Sequence, residues 1–165
     1  MKKIIVLLAL LISLCACSQD PGKAVVDSKQ RYMDMIEIIE GNDTFLSASK
    51  YYDIDVEMAK INDGYRFYVT IDNAQIALYD IEAIAIEDNI DYTSTMAANI
   101  GIFEESQYNM IPYQSNPEQG YVKGLVMSGI TSSSSTTLYI LVQWKSSDLS
   151  TQSREIFKLD VAYGA

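Results

Sequence analysis

The sequence predicts a mainly β protein in which an amphipathic helix precedes a seven-stranded antiparallel β-sandwich. Two observations carry this prediction. Apolar residues recur with helical spacing over residues 24–40, and with a period of two from residue 53 onward. The strand candidates then follow one another with turn-rich loops and without helices between them, as is typical of sandwiches.

The helical prediction covers residues 24–50. One face of its main helix, over residues 24–40, carries Val25, Lys29, Tyr32, Ile36 and Ile39. Gly41-Asn42 supplies a C-terminal stop, because both residues tolerate the left-handed backbone that ends helices. A shorter helical turn is expected over residues 44–50, with Asp43 as its N-cap.

The sandwich is predicted over residues 51–165. Apolar and polar residues alternate on both sides of Asn62-Asp63-Gly64, which favours a hairpin at that turn. Ile76–Ile86 is apolar on both faces and is predicted to be a central strand. Ser132–Ser135 is interpreted as a hairpin tip. The remaining strand candidates are Asn99–Phe103, Tyr121–Ile130, Thr137–Trp144 and Arg154–Val161.

Trp144 follows three apolar residues on one face of its strand, and we expect its ring to fill space between the sheets. With seven strands and this packing, residues 51–165 resemble an immunoglobulin-like sandwich. The resemblance is architectural, since the paired cysteines of antibody domains are missing. Such a likeness implies a fold and leaves the function open.

The first sixteen residues have the layout of a secretory signal peptide. Lys2-Lys3 precedes the apolar run Ile4–Leu14, and small or polar residues follow. As a helix, the thirteen residues Ile4–Ala16 would measure about 20 Å, whereas a hydrocarbon core is about 30 Å thick. The segment is therefore predicted to be a cleaved leader instead of a membrane span.

Leu14-Cys15-Ala16-Cys17, at the end of this run, resembles the lipobox of bacterial lipoproteins. The resemblance implies a diacylglyceryl lipid on Cys17, with residues 17–23 as a tether. It places the protein outside the cytoplasm on the cell membrane, or on the outer membrane where one exists. Two acyl chains anchor a protein stably, whereas one does so marginally. An ordinary leader followed by an incidental cysteine is the alternative.

Charge argues against nucleic acid as a partner. The net charge is −10, and loss of Lys2 and Lys3 with the leader makes it −12. The remaining basic residues are scattered, whereas phosphate binding requires clustered lysine and arginine. Both cysteines lie in the leader region, so no disulfide is expected in the sandwich.

The sequence predicts neither an enzyme nor a cofactor or metal site. Histidine, the commonest general base and metal ligand, is absent. Asp53, Asp55 and Glu57 alternate on a strand about 7 Å apart, too far apart to converge on one ion. The acidic stretch 87–91 lies in a loop but lacks the glycine and distal glutamate of an EF-hand.

Residues 104–120 form the longest irregular stretch and are rich in aromatic residues and turn formers. Long loops in compact domains are often functional. The candidate partner-binding residues are Tyr108, Met110 and Tyr113, although the loop could instead cap an open edge of the sandwich. The expected function is a non-enzymatic interaction module that contacts an envelope protein or polymer through one sheet face or this loop. The alternatives are a small-ligand-binding accessory lipoprotein of a transporter and an enzyme of unusual chemistry.

Overall fold

The computed structural model describes residues 21–88 and 90–165, which form one α-helix and seven strands in two antiparallel sheets. The predicted signal peptide, Cys17 and most of the predicted tether lie outside this range. The elements are α1 (Pro21–Glu40), β1 (Asp53–Ile61), β2 (Gly64–Asp72), β3 (Tyr79–Glu87), β4 (Ala98–Ile100), β5 (Gly124–Thr131), β6 (Ser135–Lys145) and β7 (Gln152–Ala162).

Sheet I has the strand order β1-β2-β5, and sheet II has the order β4-β3-β6-β7. The predicted turn at residues 62–64 is confirmed, because β1 and β2 pair from Ile61↔Gly64 to Asp53↔Asp72. The predicted central strand is also confirmed, since β3 lies between β4 and β6. The result is a sandwich-like arrangement of mainly β structure.

Two apolar clusters hold the fold together. The larger lies between the sheets and contains Phe67, Val69, Ile140, Trp144 and Phe157. Trp144 fills this space as expected, with its ring 5.8 Å from those of Tyr51 and Tyr52. The smaller cluster lies between α1 and the outer face of sheet II, and its central members are Tyr32, Met35, Ile36, Ile84 and Leu141.

Helix α1 buries a stripe spaced as an amphipathic helix requires, from Tyr32 through Ile36 to Ile39. Val25, which the sequence assigns to the same face, is 67% exposed, because the first turns of the helix extend beyond the residues that cover its later turns. No helix in the described part of the chain is both long and apolar enough to cross a bilayer.

Three predictions are corrected. Residues 44–50 are not helical, because Leu46 bonds to β7 through Leu46 N–H to Ile156 O (2.9 Å) and Lys158 N–H to Leu46 O (3.2 Å). Strand β4 is shorter than predicted and ends before Gly101, which has φ +80°. Residues 132–134 connect the two sheets and are not a hairpin tip, since β5 pairs with β2 and β6 pairs with β3 and β7.

Candidate functional site

The loop between β4 and β5, residues 101–123, is fixed at its base to sheet II. Met110 N–H donates to Leu78 O (2.9 Å) and Leu78 N–H donates to Met110 O (2.8 Å), which forms a short antiparallel bridge. Asn109 Oδ1 accepts the Asp80 N–H at 3.0 Å. Met110 is 1% exposed and belongs to the core between the sheets. The base of the loop is therefore part of the folded core.

The tip of the same loop is a tight turn with an unusual residue in it. Gln114 N–H donates to Ile111 O at 3.0 Å, with Pro112 and Tyr113 as the two central residues. Tyr113 has φ +65°. A turn with proline second and a positive φ third is of type II geometry, where glycine or asparagine is favoured. Tyrosine there costs about 1–2 kcal/mol, because its Cβ crowds the backbone.

The Tyr113 side chain is fully exposed and stands beside a groove of about 560 Å³. The loop contributes Ile111, Pro112 and Val122 to the groove, and the end of β2 with the following turn contributes Asp72 and Asn73. Asn73 also has a positive φ, of 49°. Asparagine adopts this conformation readily, whereas a tyrosine in it is strained, and strained residues cluster at functional sites.

The structure separates the three partner-binding candidates. Tyr113 lies on the surface, Tyr108 is half-buried against the core, and the Met110 side chain is buried. The base and the tip of the loop therefore differ in burial. Its base caps the core, and its tip presents an aromatic ring to solvent.

A second open surface is the outer face of sheet I, opposite the core. Val126 and Ile130 of β5 are exposed there. The acidic side chains of Asp55 and Glu57 on β1 are also exposed, as predicted for a solvated strand face. Tyr68 stands between these strands and pairs with Glu57 on one side and Ser128 on the other. This face is acidic along one edge and aliphatic along the other.

A third feature is an open cleft of about 620 Å³ between α1 and the start of β3. The β3–β6 register is irregular between Tyr79 and Glu82, and Asp80 has φ +47°. Such bulges re-aim side chains and are common beside functional sites. Here Asp80 and Glu82 line the cleft, together with Ile81 between them, which also belongs to the core.

Two ion pairs lie in this cleft. Arg31 of α1 lies 3.2 Å from Glu82, and Lys145 of β6 lies 2.7 Å from Asp80. Gln143 Nε2 donates to Glu82 Oε2 at 2.6 Å. Sequence reasoning missed this group because its members are far apart in the chain. The available signal was the pair of carboxylates that interrupts the apolar run of β3.

Two polar atoms are buried near β7 without hydrogen-bond partners among the described residues, Tyr52 Oη and Glu155 Oε2. Burial is the main cause that raises the pKa of Tyr52 far above its ordinary value, and the nearby charge of Glu155 raises it further. The two groups therefore interact electrostatically, but their geometry does not make a hydrogen bond. An unpaired hydroxyl of this kind destabilises the fold.

Within residues 21–88 and 90–165, no three acidic or cysteine side chains are grouped to hold a metal ion. Comparison of the chain with protein-family models, curated proteins and solved structures finds no match. The assignment of function therefore depends on the exposed loop tip, the open sheet face and the cleft.

Proposed function

We propose that this protein is a lipid-anchored module on the outer side of a bacterial membrane, where it binds an envelope protein or polymer without catalysis. The lipid on Cys17 would hold it at the membrane, and the tip of the β4–β5 loop would contact the partner. The fold we propose for the body is immunoglobulin-like. The orders β1-β2-β5 and β4-β3-β6-β7 support this, because they differ from the seven-stranded constant-type arrangement mainly in the sheet that the fourth strand joins.

The observation that carries the proposal is Tyr113. A bulky aromatic ring, fully exposed and in left-handed backbone, contributes nothing to the core and strains its turn. Tyrosine is enriched at the energetic centres of interfaces because it offers a large rigid contact area and a hydroxyl. The buried Met110 and the bridge to Leu78 fix the position of the turn, so little entropy remains to be lost on binding.

In-cell photocrosslinking tests the contact. A photoreactive phenylalanine derivative replaces Tyr113 in one strain and Leu149 in another. Leu149 is a matched control, since it is also exposed, apolar and at positive φ (58°), in the turn between β6 and β7. We expect irradiation to give an adduct from position 113 and none from position 149.

A discrete adduct band indicates a protein partner, whereas an adduct that enters a gel only after wall digestion indicates a polymer. Equal adducts from both positions, or none from position 113, would contradict the proposed binding site.

Cell fractionation tests the anchor. We expect Cys17→Ser to move the protein from the membrane fraction to the soluble fraction, because the acceptor thiol is lost. Cys15→Ser is the matched control and should leave the protein in the membrane, since a small residue is usual at that position of a lipobox. Membrane retention of Cys17→Ser would contradict the proposed anchor.

The cleft between α1 and β3 favours the second candidate function, a small-ligand-binding accessory lipoprotein. Its volume lies in the range of ligand sites, and polar groups converge in it. A charged ligand would have to replace the Arg31–Glu82 and Lys145–Asp80 pairs. Thermal unfolding with and without libraries of zwitterionic metabolites tests this candidate. A Tm increase that Glu82→Gln abolishes would support it, and a Tm unchanged throughout would count against it.

A further inference from the structure

Helix α1 continues its apolar stripe past the point where the sandwich covers it. Val25 and Val26 precede Tyr32 and Met33 by seven residues, which is two turns, so each valine lies on the same side of the helix as its later counterpart. Tyr32 is buried and Met33 is packed against the core under α1. The two valines are 67% and 66% exposed. The first turns of the helix therefore project with an uncovered apolar side.

Two further exposed side chains lie near this projection. The Phe103 ring is 5.6 Å from the ring of Tyr32. Met96 precedes Ala97, whose N–H donates to Tyr32 Oη at 2.8 Å. Both side chains are exposed. We call Val25, Val26, Met96 and Phe103 together the helix-start patch.

We infer that the helix-start patch lies against the lipid bilayer, with its apolar side chains in the interfacial region. The inference rests on the proposed anchor at Cys17 and identifies the surface that faces the membrane. Chain length is its main argument. The four residue steps from Cys17 to Pro21 reach at most about 14 Å, and five helical steps to Val26 add about 8 Å.

The charge of the first turns of α1 agrees with a bilayer as the occupant, although two acidic residues, Glu104 and Glu105, follow Phe103 in the chain. Residues 21–30 contain Lys23, Lys29 and one acidic residue, Asp27, whereas the whole chain carries −10. Lysine side chains at such a site extend their ammonium groups to the lipid headgroups while their stems remain on the apolar surface. Only the first turns of α1 carry this uncovered apolar side, so the helix would contact the interface at that end and would not span the bilayer.

Spin labelling of the lipidated protein in phosphatidylcholine vesicles tests the inference. Cys15 leaves with the leader and Cys17 is blocked by lipid, so Val26→Cys, Phe103→Cys and Val126→Cys each supply one free thiol. Val126, on the outer face of sheet I, is the matched control because it is similarly exposed (57%). The measurement compares collisions of each label with oxygen, which enters lipid, and with a water-soluble nickel chelate.

We expect the ratio of oxygen to nickel collisions to be severalfold higher at positions 26 and 103 than at position 126. Equal ratios at all three positions would overturn the inference, as would labels at 26 and 103 that are shielded from both reagents, which would indicate a protein contact. The mass of the N-terminal peptide distinguishes the two failures. An unacylated Cys17 removes the proposed anchor as well, whereas an acylated Cys17 with water-exposed labels removes this inference alone.

Discussion

Sheet II is covered on both faces. In the part of the chain that the structure describes, sheet I is covered on its inner face only. The outer face of sheet II carries Ile84, Ile86 and Leu141, which are buried beneath α1. The equivalent face of sheet I carries Thr70, Val126 and Ile130, and the two β5 residues are exposed. The two faces differ because a single helix covers one of them. The outer face of sheet I and the loop tip are thus open surfaces of the described part of the chain.

The largest expected effect comes from truncating matched outer-face residues of the two sheets. Leu141→Ala removes a fully buried side chain beneath α1 and should lower the free energy of unfolding by about 2–5 kcal/mol. Val126→Ala on sheet I should change it by less than about 0.5 kcal/mol. Urea denaturation of both variants measures the difference. Similar losses in the two variants would mean that another element covers sheet I.

Substitutions on the inner face of sheet I should lower the unfolding free energy as core substitutions do. A Cβ at Gly129 would collide with the buried ring of Phe67. Gly129→Ala should therefore cost about 1–3 kcal/mol in unfolding free energy, as overpacked cores do. Ser128→Ala, one residue earlier on the outer face of the same strand, is the control and should be close to neutral. A neutral Gly129→Ala would show that the two sheets are packed more loosely than described.

Alkaline pH should weaken both cores through buried tyrosines. Burial is the main cause that raises the pKa of Tyr92, beside α1, to about 12, and burial also raises the pKa of Tyr52, between the sheets. A pKa raised in the folded state gives stability that is complete below about pH 10, the unfolded value, and is lost as pH rises through the folded value. The unfolding free energy should therefore fall steeply above pH 10.

Phenylalanine variants show how much of this loss of unfolding free energy comes from Tyr52 and how much from Tyr92. Tyr52→Phe removes an unpaired, destabilising hydroxyl, so it should be slightly more stable than the parent at pH 7 and clearly more stable above pH 11. Tyr92→Phe should cost about 1 kcal/mol at pH 7, because its hydroxyl accepts the Glu87 N–H at 2.8 Å. Urea titrations at pH 7 and pH 11 measure both. If Tyr52→Phe lost as much unfolding free energy between pH 7 and pH 11 as the parent does, Tyr52 would not be a source of the alkaline destabilisation.

The smallest stability effect is expected at the loop tip. Tyr113→Ala should change the unfolding free energy by less than about 0.5 kcal/mol, because the ring touches solvent. Tyr113→Gly should be about 1 kcal/mol more stable than Tyr113→Ala, since glycine relieves the strain of a positive φ. By comparison, Met110→Ala, three residues earlier, should lower the unfolding free energy by about 2–5 kcal/mol, because it truncates a buried core side chain. A loss of several kcal/mol in Tyr113→Ala would assign the tip to the core.

Much of the fold could be predicted because local pattern and burial agree. The alternation in β1 and β2 follows from one covered face, and the two-faced apolar run in β3 follows from cover on both sides. Residues 44–50 gave a wrong prediction because the local capping signal of Asp43 was weaker than the backbone bonds that Leu46 makes to β7. A backbone pairing between residues more than a hundred positions apart cannot be recognised from a short window of sequence.

The candidate site was only partly predictable for the same reason. Aromatic and turn-forming residues identified the loop, but composition cannot tell Met110, which pairs with Leu78, from Tyr113, which faces solvent. The Pro112-Tyr113 order suits a tight turn, yet the positive φ of Tyr113 becomes evident only in the folded backbone. The cleft residues Arg31, Glu82 and Lys145 come together through α1, β3 and β6, which no spacing rule connects.

The proposed lipid on Cys17 would bring the start of α1 to the membrane. Mass spectrometry of the N-terminal peptide from the membrane-extracted protein tests that claim most directly. We expect a peptide that begins at Cys17 and carries the added mass of a diacylglyceryl group. A peptide that retains earlier residues, or an unmodified Cys17, would contradict it.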